Sequence, residues 1–165
     1  VNLYVVPMTN AVGYDAGTRL ELRNFPNRDF GYLQDPLKCM TTIAGRTVNE
    51  LFRRHLFQVA VTFHGGMTTI GYPWGSFNHY RKGTTRAPDD AALRDVSRAM
   101  SLFAGDGGGA DRPYPTGTMN DQVYPVHGGM EDWAYAASFD PASAGPCTPA
   151  TYGGYPAERS RASNS

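Results

Sequence analysis

Apolar and polar positions along the chain follow patterns that predict helices and short strands. Between Thr47 and Leu56 the apolar residues recur at the spacing of one helix face. The next run, FQVAVTFHGG, is rich in β-branched and aromatic residues and ends at a histidine and two glycines. We therefore predict a buried strand over Phe57–Phe63. A second, mostly apolar strand is predicted over Asn2–Met8.

The second half of the chain continues this alternation of elements. Residues 66–80 predict a short strand and a pocket-lining loop, and Asp89 is a suitable N-cap for a helix that ends before Gly105. A helical turn is predicted over residues 130–135, after a glycine-rich loop. On the helix that follows Asp89, the apolar stripe predicted to face the protein core comprises Leu93, Val96, Met100 and Phe103.

The segments between these elements are predicted to be loops. Residues 9–28 are polar and rich in Asn, Gly and Arg, and residues 81–88 form a basic linker. From Pro141 onward the composition has no periodicity, which predicts loop or disorder. These elements predict an α/β fold, with a mixed twisted sheet flanked by helices in one domain.

Composition excludes some classes of function and leaves others open. The 165 residues include 15 basic and 15 acidic ones, and no basic run is interleaved with aromatics, so we expect no nucleic-acid partner. No apolar stretch approaches the roughly 20 residues of a membrane span. Cys39 and Cys147 have no CxxC spacing, which argues against a zinc knuckle, and they form either one disulfide or two buried thiols.

Two features of the sequence offer chemistry. His64 follows a predicted strand, where open α/β sheets usually bind ligands, and the two glycines after it allow close approach. Asn27 and Arg28 offer an amide and a guanidinium from one loop, which suits the capture of a carboxylate. In the alternative interpretation, Arg28 pairs with Asp29 or Asp35.

The remaining histidines are weaker candidates. We expect His55 and His79 at the surface. His127 and Glu131 have the spacing of a helical metal pair, but two glycines lie between them and make a helix there improbable. The HGG triplet also matches an esterase oxyanion loop, but residues 141–145, PASAG, are a poor nucleophile elbow around Ser143.

Four ordered motifs resemble the zinc metallocarboxypeptidase family. They are VNLYVVPMTNAVGYDAGTR, FPNRDF, HLFQVAVTFHGG and QVYPVHGGMEDWAY. FPNRDF resembles the family signature D-x-N-R-[DN]-F/W, with Phe25 where an aspartate is usual. The resemblance implies a zinc enzyme that removes residues from the C-termini of peptides and proteins.

The resemblance also implies roles for individual residues. His64 is expected to be a zinc ligand, and Asn27 and Arg28 are expected to bind the C-terminal carboxylate of the substrate. Arg19 aligns with the catalytic arginine that polarises the scissile carbonyl, although Arg23 competes for that position.

Two further residues are expected to bind the substrate. Tyr124 matches the mobile tyrosine that closes over the bound residue. Glu131 falls at the floor of the specificity pocket, where relatives that prefer C-terminal Lys or Arg have an acid. In the alternative, Glu131 pairs with an arginine of the protein or points to solvent.

Part of the family's machinery is absent from these residues. The H-x-x-E motif, with two of three expected zinc ligands, and the catalytic glutamate do not occur in the chain. We therefore expect residues 1–158 to be a catalytic domain incomplete at both ends, with 159–165 disordered, and the isolated chain to be inactive and to bind zinc weakly. A non-catalytic relative that binds peptide C-termini is the alternative. Family tendency and the two cysteines predict a secreted or secretory-pathway protein.

Overall fold

The computed structural model describes residues 1–21, 23–31, 40–80, 85–105 and 113–136. Short 3₁₀ turns lie at Pro26–Arg28 and Phe77–His79. The strands are Ile70–Tyr72 (β1) and Thr116–Thr118 (β2). The helices are Ala11–Asp15 (α1), Ile43–Arg54 (α2), Asp90–Phe103 (α3), Met119–Gln122 (α4) and Met130–Ala136 (α5).

The two strands form a small parallel sheet. Ile70 pairs with Thr116, and Tyr72 pairs with Thr118. Helix α3 lies in the connection between the strands and packs against both, which is the usual arrangement for a parallel pair. The predicted α/β class is confirmed. Within the described ranges, however, the sheet has two strands, and the larger mixed twisted sheet is not seen.

Two strand predictions are wrong. Asn2–Met8 and Phe57–Phe63 belong to no sheet in the described structure, and Val59 and Phe63 are 60% and 96% exposed. An apolar run becomes a buried strand only when a neighbour pairs with its backbone and a second layer covers it. No other described segment makes backbone hydrogen bonds to either run. They touch each other through the rings of Tyr4 and Phe57, 5.6 Å apart.

Helix α2 is confirmed, but it begins four residues before the predicted start. Thr42 is its N-cap, and the Thr42 hydroxyl accepts the Gly45 N–H at 3.0 Å. The buried carboxylate of Glu21 accepts the N–H groups of Ile43 and Ala44, at 3.0 Å for the latter. A carboxylate at this end of a helix also interacts favourably with the helix dipole.

Helix α3 follows Asp89 as predicted, and its predicted core stripe is right at Leu93, which packs against the core, and wrong at two other positions. Val96 and Phe103 are exposed, whereas Ser97 and Ser101 are buried. The Ser101 hydroxyl donates a 2.6 Å hydrogen bond to the Tyr114 carbonyl, next to β2. Small side chains therefore face the sheet, and this allows the helix to approach it closely.

The hydrophobic core joins α2, α5 and the segment after the first 3₁₀ turn. The Trp133 ring packs between Phe30, at 5.0 Å, and Phe52, at 5.1 Å. Trp74, Val48 and Ala136 complete this layer. No helix in the described ranges has the length and apolar composition to cross a membrane.

The segments 9–28, 66–80 and 130–135 were predicted as a loop, a short strand and a helical turn. The short strand predicted within 66–80 is confirmed as β1, and the helical turn predicted over 130–135 is confirmed as α5. The segment predicted to be a loop over 9–28 contains α1 and the first 3₁₀ turn. Asp35, Cys39, Ser143, Cys147 and the C-terminal tail lie outside the described residues.

Candidate functional site

The Asn27–Arg28 pair lies in the 3₁₀ turn that Pro26 begins. The fixed φ of proline favours the first position of such a turn. The Arg28 N–H donates to the Phe25 carbonyl at 3.0 Å, and the Arg28 guanidinium donates through Nη1 to the Asn27 carbonyl. The turn therefore holds the arginine side chain against its own backbone.

Asn27 connects this turn to helix α5. Its Oδ1 accepts the Met130 N–H at 2.9 Å, across 103 residues of sequence. Met130 is the first residue of α5, where a backbone N–H lacks a partner within the helix. Because the amide oxygen is used in this way, the Nδ2 group of Asn27 keeps two donors for another partner. The Phe30 N–H, donating to the Gly128 carbonyl at 3.1 Å, ties the same two segments together again.

Glu131 follows Met130 and lies against two glycines. A Cβ added at Gly75 would lie 2.6 Å from Glu131 Oε1, and one added at Gly129 would overlap the same carboxylate. Burial raises the pKa of Glu131, and neighbouring Asp132 raises it further. Its own backbone N–H and the charge of Arg28 lower the pKa. Glu131 therefore lies within the electrostatic reach of Arg28, and no ion pair to it is seen in the described ranges.

Asp132 is the residue that sequence reasoning missed. It is 3% exposed, and its two oxygens accept the N–H groups of Gly75, at 2.8 Å, and Ser76, at 2.9 Å. Burial raises the pKa of Asp132, while hydrogen bonds from Gly75 and Ser76 and the charge of His79 lower it. The loop after β1 is thereby fixed to α5. The sequence signal that could have singled out Asp132 is its place beside a tryptophan in the motif GGMEDW.

Tyr124 lies exposed in the loop between α4 and α5. This loop is attached to the same glycine, because the Val126 N–H donates to the Gly75 carbonyl at 2.7 Å. Gly75 therefore contacts both the loop of Tyr124 and the carboxylate of Glu131.

His64 and Arg19 lie exposed on segments that reach the same region. Thr62, two residues before His64, places its hydroxyl 3.8 Å from the sulfur of Met130. The Nδ1 atom of His64 lies against the Gly65 carbonyl, which leaves Nε2 as the other ring nitrogen for a ligand. The Arg19 guanidinium carbon lies 5.6 Å from the centroid of the Phe25 ring, next to the Asn27 turn.

The comparison with protein families matches residues 1–144 to the model of zinc carboxypeptidases. This match covers most of the 165 residues. The chain belongs to the zinc carboxypeptidase family.

Individual relatives agree with this family. Carboxypeptidase SOL1 of Arabidopsis thaliana is 27% identical over 143 residues, which are 82% of this chain and 28% of that protein. Human carboxypeptidase D is 27% identical over 149 residues, which are 81% of this chain and 10% of that protein. The chain thus spans less than a third of the length of these relatives. No solved structure matches it.

The family is zinc-dependent, so the described residues were tested as a zinc site. A zinc site needs at least three protein ligands. The described part of this carboxypeptidase chain brings together no group of three His, Cys, Asp or Glu side chains that could hold a metal ion. These residues therefore do not fit a complete zinc site, and His64 is the one ligand predicted among them.

Asp29, His79 and His127 each have surroundings that decide between the interpretations given above. Asp29 does not pair with Arg28, because its carboxylate accepts the Thr42 N–H and hydroxyl, each at 2.7 Å. His79 is stacked on the buried Trp74 ring, 3.8 Å between centroids, so its prediction as a plain surface residue is wrong. His127 precedes the first residue of α5 and shares no helix with Glu131, as predicted.

Proposed function

We propose that this chain forms the part of a zinc carboxypeptidase that binds the free C-terminus of a peptide. The whole protein would then hydrolyse the last peptide bond of its substrate. The observation that carries this proposal is the 2.9 Å hydrogen bond from Met130 N–H to Asn27 Oδ1. It joins the turn of the predicted carboxylate-binding pair to the helix that carries Glu131.

The chemistry of the turn supports carboxylate recognition. The Nδ2 group of Asn27 and the guanidinium of Arg28 supply donors from adjacent residues, and a carboxylate accepts such bonds at both oxygens. Arg19 supplies a second positive charge, and we assign it the polarisation of the scissile carbonyl. Tyr124 lies on a loop with the exposure that closure over a bound residue requires.

Glu131 supports a preference for C-terminal Lys or Arg. Its carboxylate is half-buried, and burial raises its pKa, so the ionised form lacks full compensation within the described chain. A buried charge that has no partner is costly, and a basic substrate side chain would compensate it. A ligand with a terminal carboxylate and a cationic side chain therefore complements both Arg28 and Glu131.

Zinc belongs to the proposal through the family, with His64 as one ligand. The described residues bring together no group of three metal-binding side chains, so further zinc ligands would have to come from outside them. The non-catalytic alternative shares the same carboxylate grip and differs in lacking zinc-dependent hydrolysis. A location in the secretory pathway stays a prediction.

Binding by this chain can be tested with N-acetyl-Gly-Lys and its C-terminal amide as probes. We expect tighter binding of the acid, by about 10- to 100-fold, since hydrogen bonds to charged groups contribute about 1.5–3 kcal/mol. Arg28→Gln should abolish most of this difference, and Arg98→Gln, an exposed arginine of α3, is the matched control. Equal affinity for acid and amide in the unmutated chain would refute the proposal.

Activity and specificity are tested in a protein that contains this chain and has the length of its curated relatives. We expect that protein to release C-terminal Arg faster than C-terminal Phe, with loss of activity on chelation of zinc. Faster release of Phe would refute the assigned preference. Binding without any zinc-dependent release would favour the non-catalytic alternative.

A further inference from the structure

The Arg19 side chain has an unusual partner for an arginine in a predicted anion site. Its guanidinium carbon lies 5.6 Å from the centroid of the Phe25 ring, within the range of a cation–π contact. No hydrogen bond or ion pair of this guanidinium to another described residue is seen. Phe25 is 48% exposed, so one side of the ring is open to the arginine.

The backbone around both residues is held by hydrogen bonds. Glu21 and Asn24 exchange two bonds, of 2.8 and 2.9 Å, and close a tight turn that brings the chain back on itself. The Arg19 carbonyl accepts a 3.1 Å bond from the Asn10 side chain. Phe25, on the other side of the turn, is the N-cap of the 3₁₀ turn of Asn27 and Arg28. The backbone hydrogen bonds therefore place Arg19 and Phe25 on the two sides of one turn, within reach of each other.

The type of contact determines what Arg19 can still bind. A carboxylate at this place would take two N–H donors of the guanidinium and neutralise its charge. An aromatic ring attracts the cation through its face and takes no in-plane donor. Held by Phe25, Arg19 keeps its charge and its donors for a ligand at the Asn27 turn.

We infer that Phe25 is a positioning residue that orients Arg19 toward an anionic or carbonyl oxygen bound at the Asn27–Arg28 turn. This inference rests on the proposed function and adds a residue to that site. Phe25 touches Arg19 and is not itself assigned any contact with the substrate.

The first test is spectroscopic and concerns the contact itself. Protons of the Arg19 side chain that lie over a ring are shifted to lower frequency by the ring current. We expect this shift in the full 165-residue chain, its loss in Phe25→Leu and its retention in Phe25→Tyr. Phe103→Leu, which removes an exposed ring on α3, should leave it unchanged. Identical Arg19 resonances in the Phe25→Leu chain would overturn the inference.

The second test links the contact to binding of the probe. A cation–π contact at an exposed site corresponds to about a two- to five-fold change in affinity. Phe25→Leu should weaken binding of N-acetyl-Gly-Lys by that factor. Phe25→Tyr, which keeps an aromatic ring beside Arg19, should retain the affinity of the unmutated chain.

A double substitution separates positioning from a general structural role. In an Arg19→Gln background, Phe25→Leu should have no further effect on acid binding. An undiminished effect there would refute the inference, because it would show that Phe25 acts without Arg19. Failure of the proposed function is a different result, seen as equal binding of acid and amide by the unmutated chain.

Discussion

The anchoring of the loop after β1 by Asp132 makes the sharpest prediction about stability. Asp132→Asn keeps the size of the side chain and changes its hydrogen-bonding capacity. The aspartate accepts the Gly75 and Ser76 N–H groups with separate oxygens, at 2.8 and 2.9 Å. An asparagine has one acceptor oxygen and turns an NH₂ group toward the other donor. One buried backbone N–H is therefore left without an acceptor.

The size of the effect follows from these two bonds. A hydrogen bond to a charged group contributes about 1.5–3 kcal/mol, and an unsatisfied buried donor costs about 1–3 kcal/mol. The substitution also removes the cost of burying the charge, which acts in the opposite direction. We expect a net loss of about 2–3 kcal/mol in the free energy of unfolding, a sum of these terms. For a chain of this length, that lowers Tm by about 4–12 °C.

Urea denaturation and hydrogen exchange at Gly75 and Ser76 measure the effect globally and locally. Asp95→Asn is the matched control, because Asp95 is exposed on α3 and its change should stay within about 0.5 kcal/mol. Faster exchange at both amides is expected in the Asp132→Asn chain. A stability equal to that of the control, with unchanged exchange, would show that these bonds do not hold the loop.

Three further predictions concern charge, backbone and metal. Because burial raises the pKa of Glu131 in the folded chain, the free energy of unfolding should fall as pH rises above the ordinary pKa of a glutamate. Glu131→Gln should therefore be more stable than the unmutated chain at pH 8 and equally stable at pH 4. Parallel pH profiles of the two chains would contradict this. Arg23 has a φ of 85°, which glycine adopts without strain, so Arg23→Gly should add about 0.5–1 kcal/mol to the free energy of unfolding. The substitution should leave the binding of N-acetyl-Gly-Lys unchanged. Weaker binding would give Arg23 the role assigned to Arg19. Chelation with EDTA should not change the Tm of the isolated chain, since its described residues bring no three metal ligands together, and a clear drop would reveal a metal site.

The sequence predicted helices better than strands, for a physical reason. A helix satisfies its backbone hydrogen bonds within one segment, so local periodicity was enough to predict α2 and α3. A strand depends on a partner elsewhere in the chain. The run Phe57–Phe63 has the composition of a strand, but no described residue pairs with it. The buried face of α3 was predicted correctly at Leu93 and misjudged at Val96 and Phe103, which are exposed, whereas Ser97 and Ser101 are buried.

The candidate site could be predicted in its parts but not in its assembly. The motifs gave Asn27, Arg28 and Glu131 by resemblance. Their connection is a hydrogen bond from the backbone N–H of Met130 to the side-chain oxygen of Asn27, and a backbone donor has no signature in the sequence. Asp132 was overlooked for the same reason, because its partners are backbone N–H groups.

The enclosed acids of the described chain differ in how they are satisfied, and this difference singles out Glu131. Glu21 accepts two helical N–H groups, Asp29 accepts from Thr42, and Asp132 accepts from Gly75 and Ser76. Glu131 is stabilised by its own N–H and by the more distant charge of Arg28. Enclosed carboxylates are normally compensated within the protein, so the one that is least compensated is the best candidate to meet a cation from outside. This contrast, drawn from hydrogen bonds and charge in the folded chain, leads to the same residue as the family motif does.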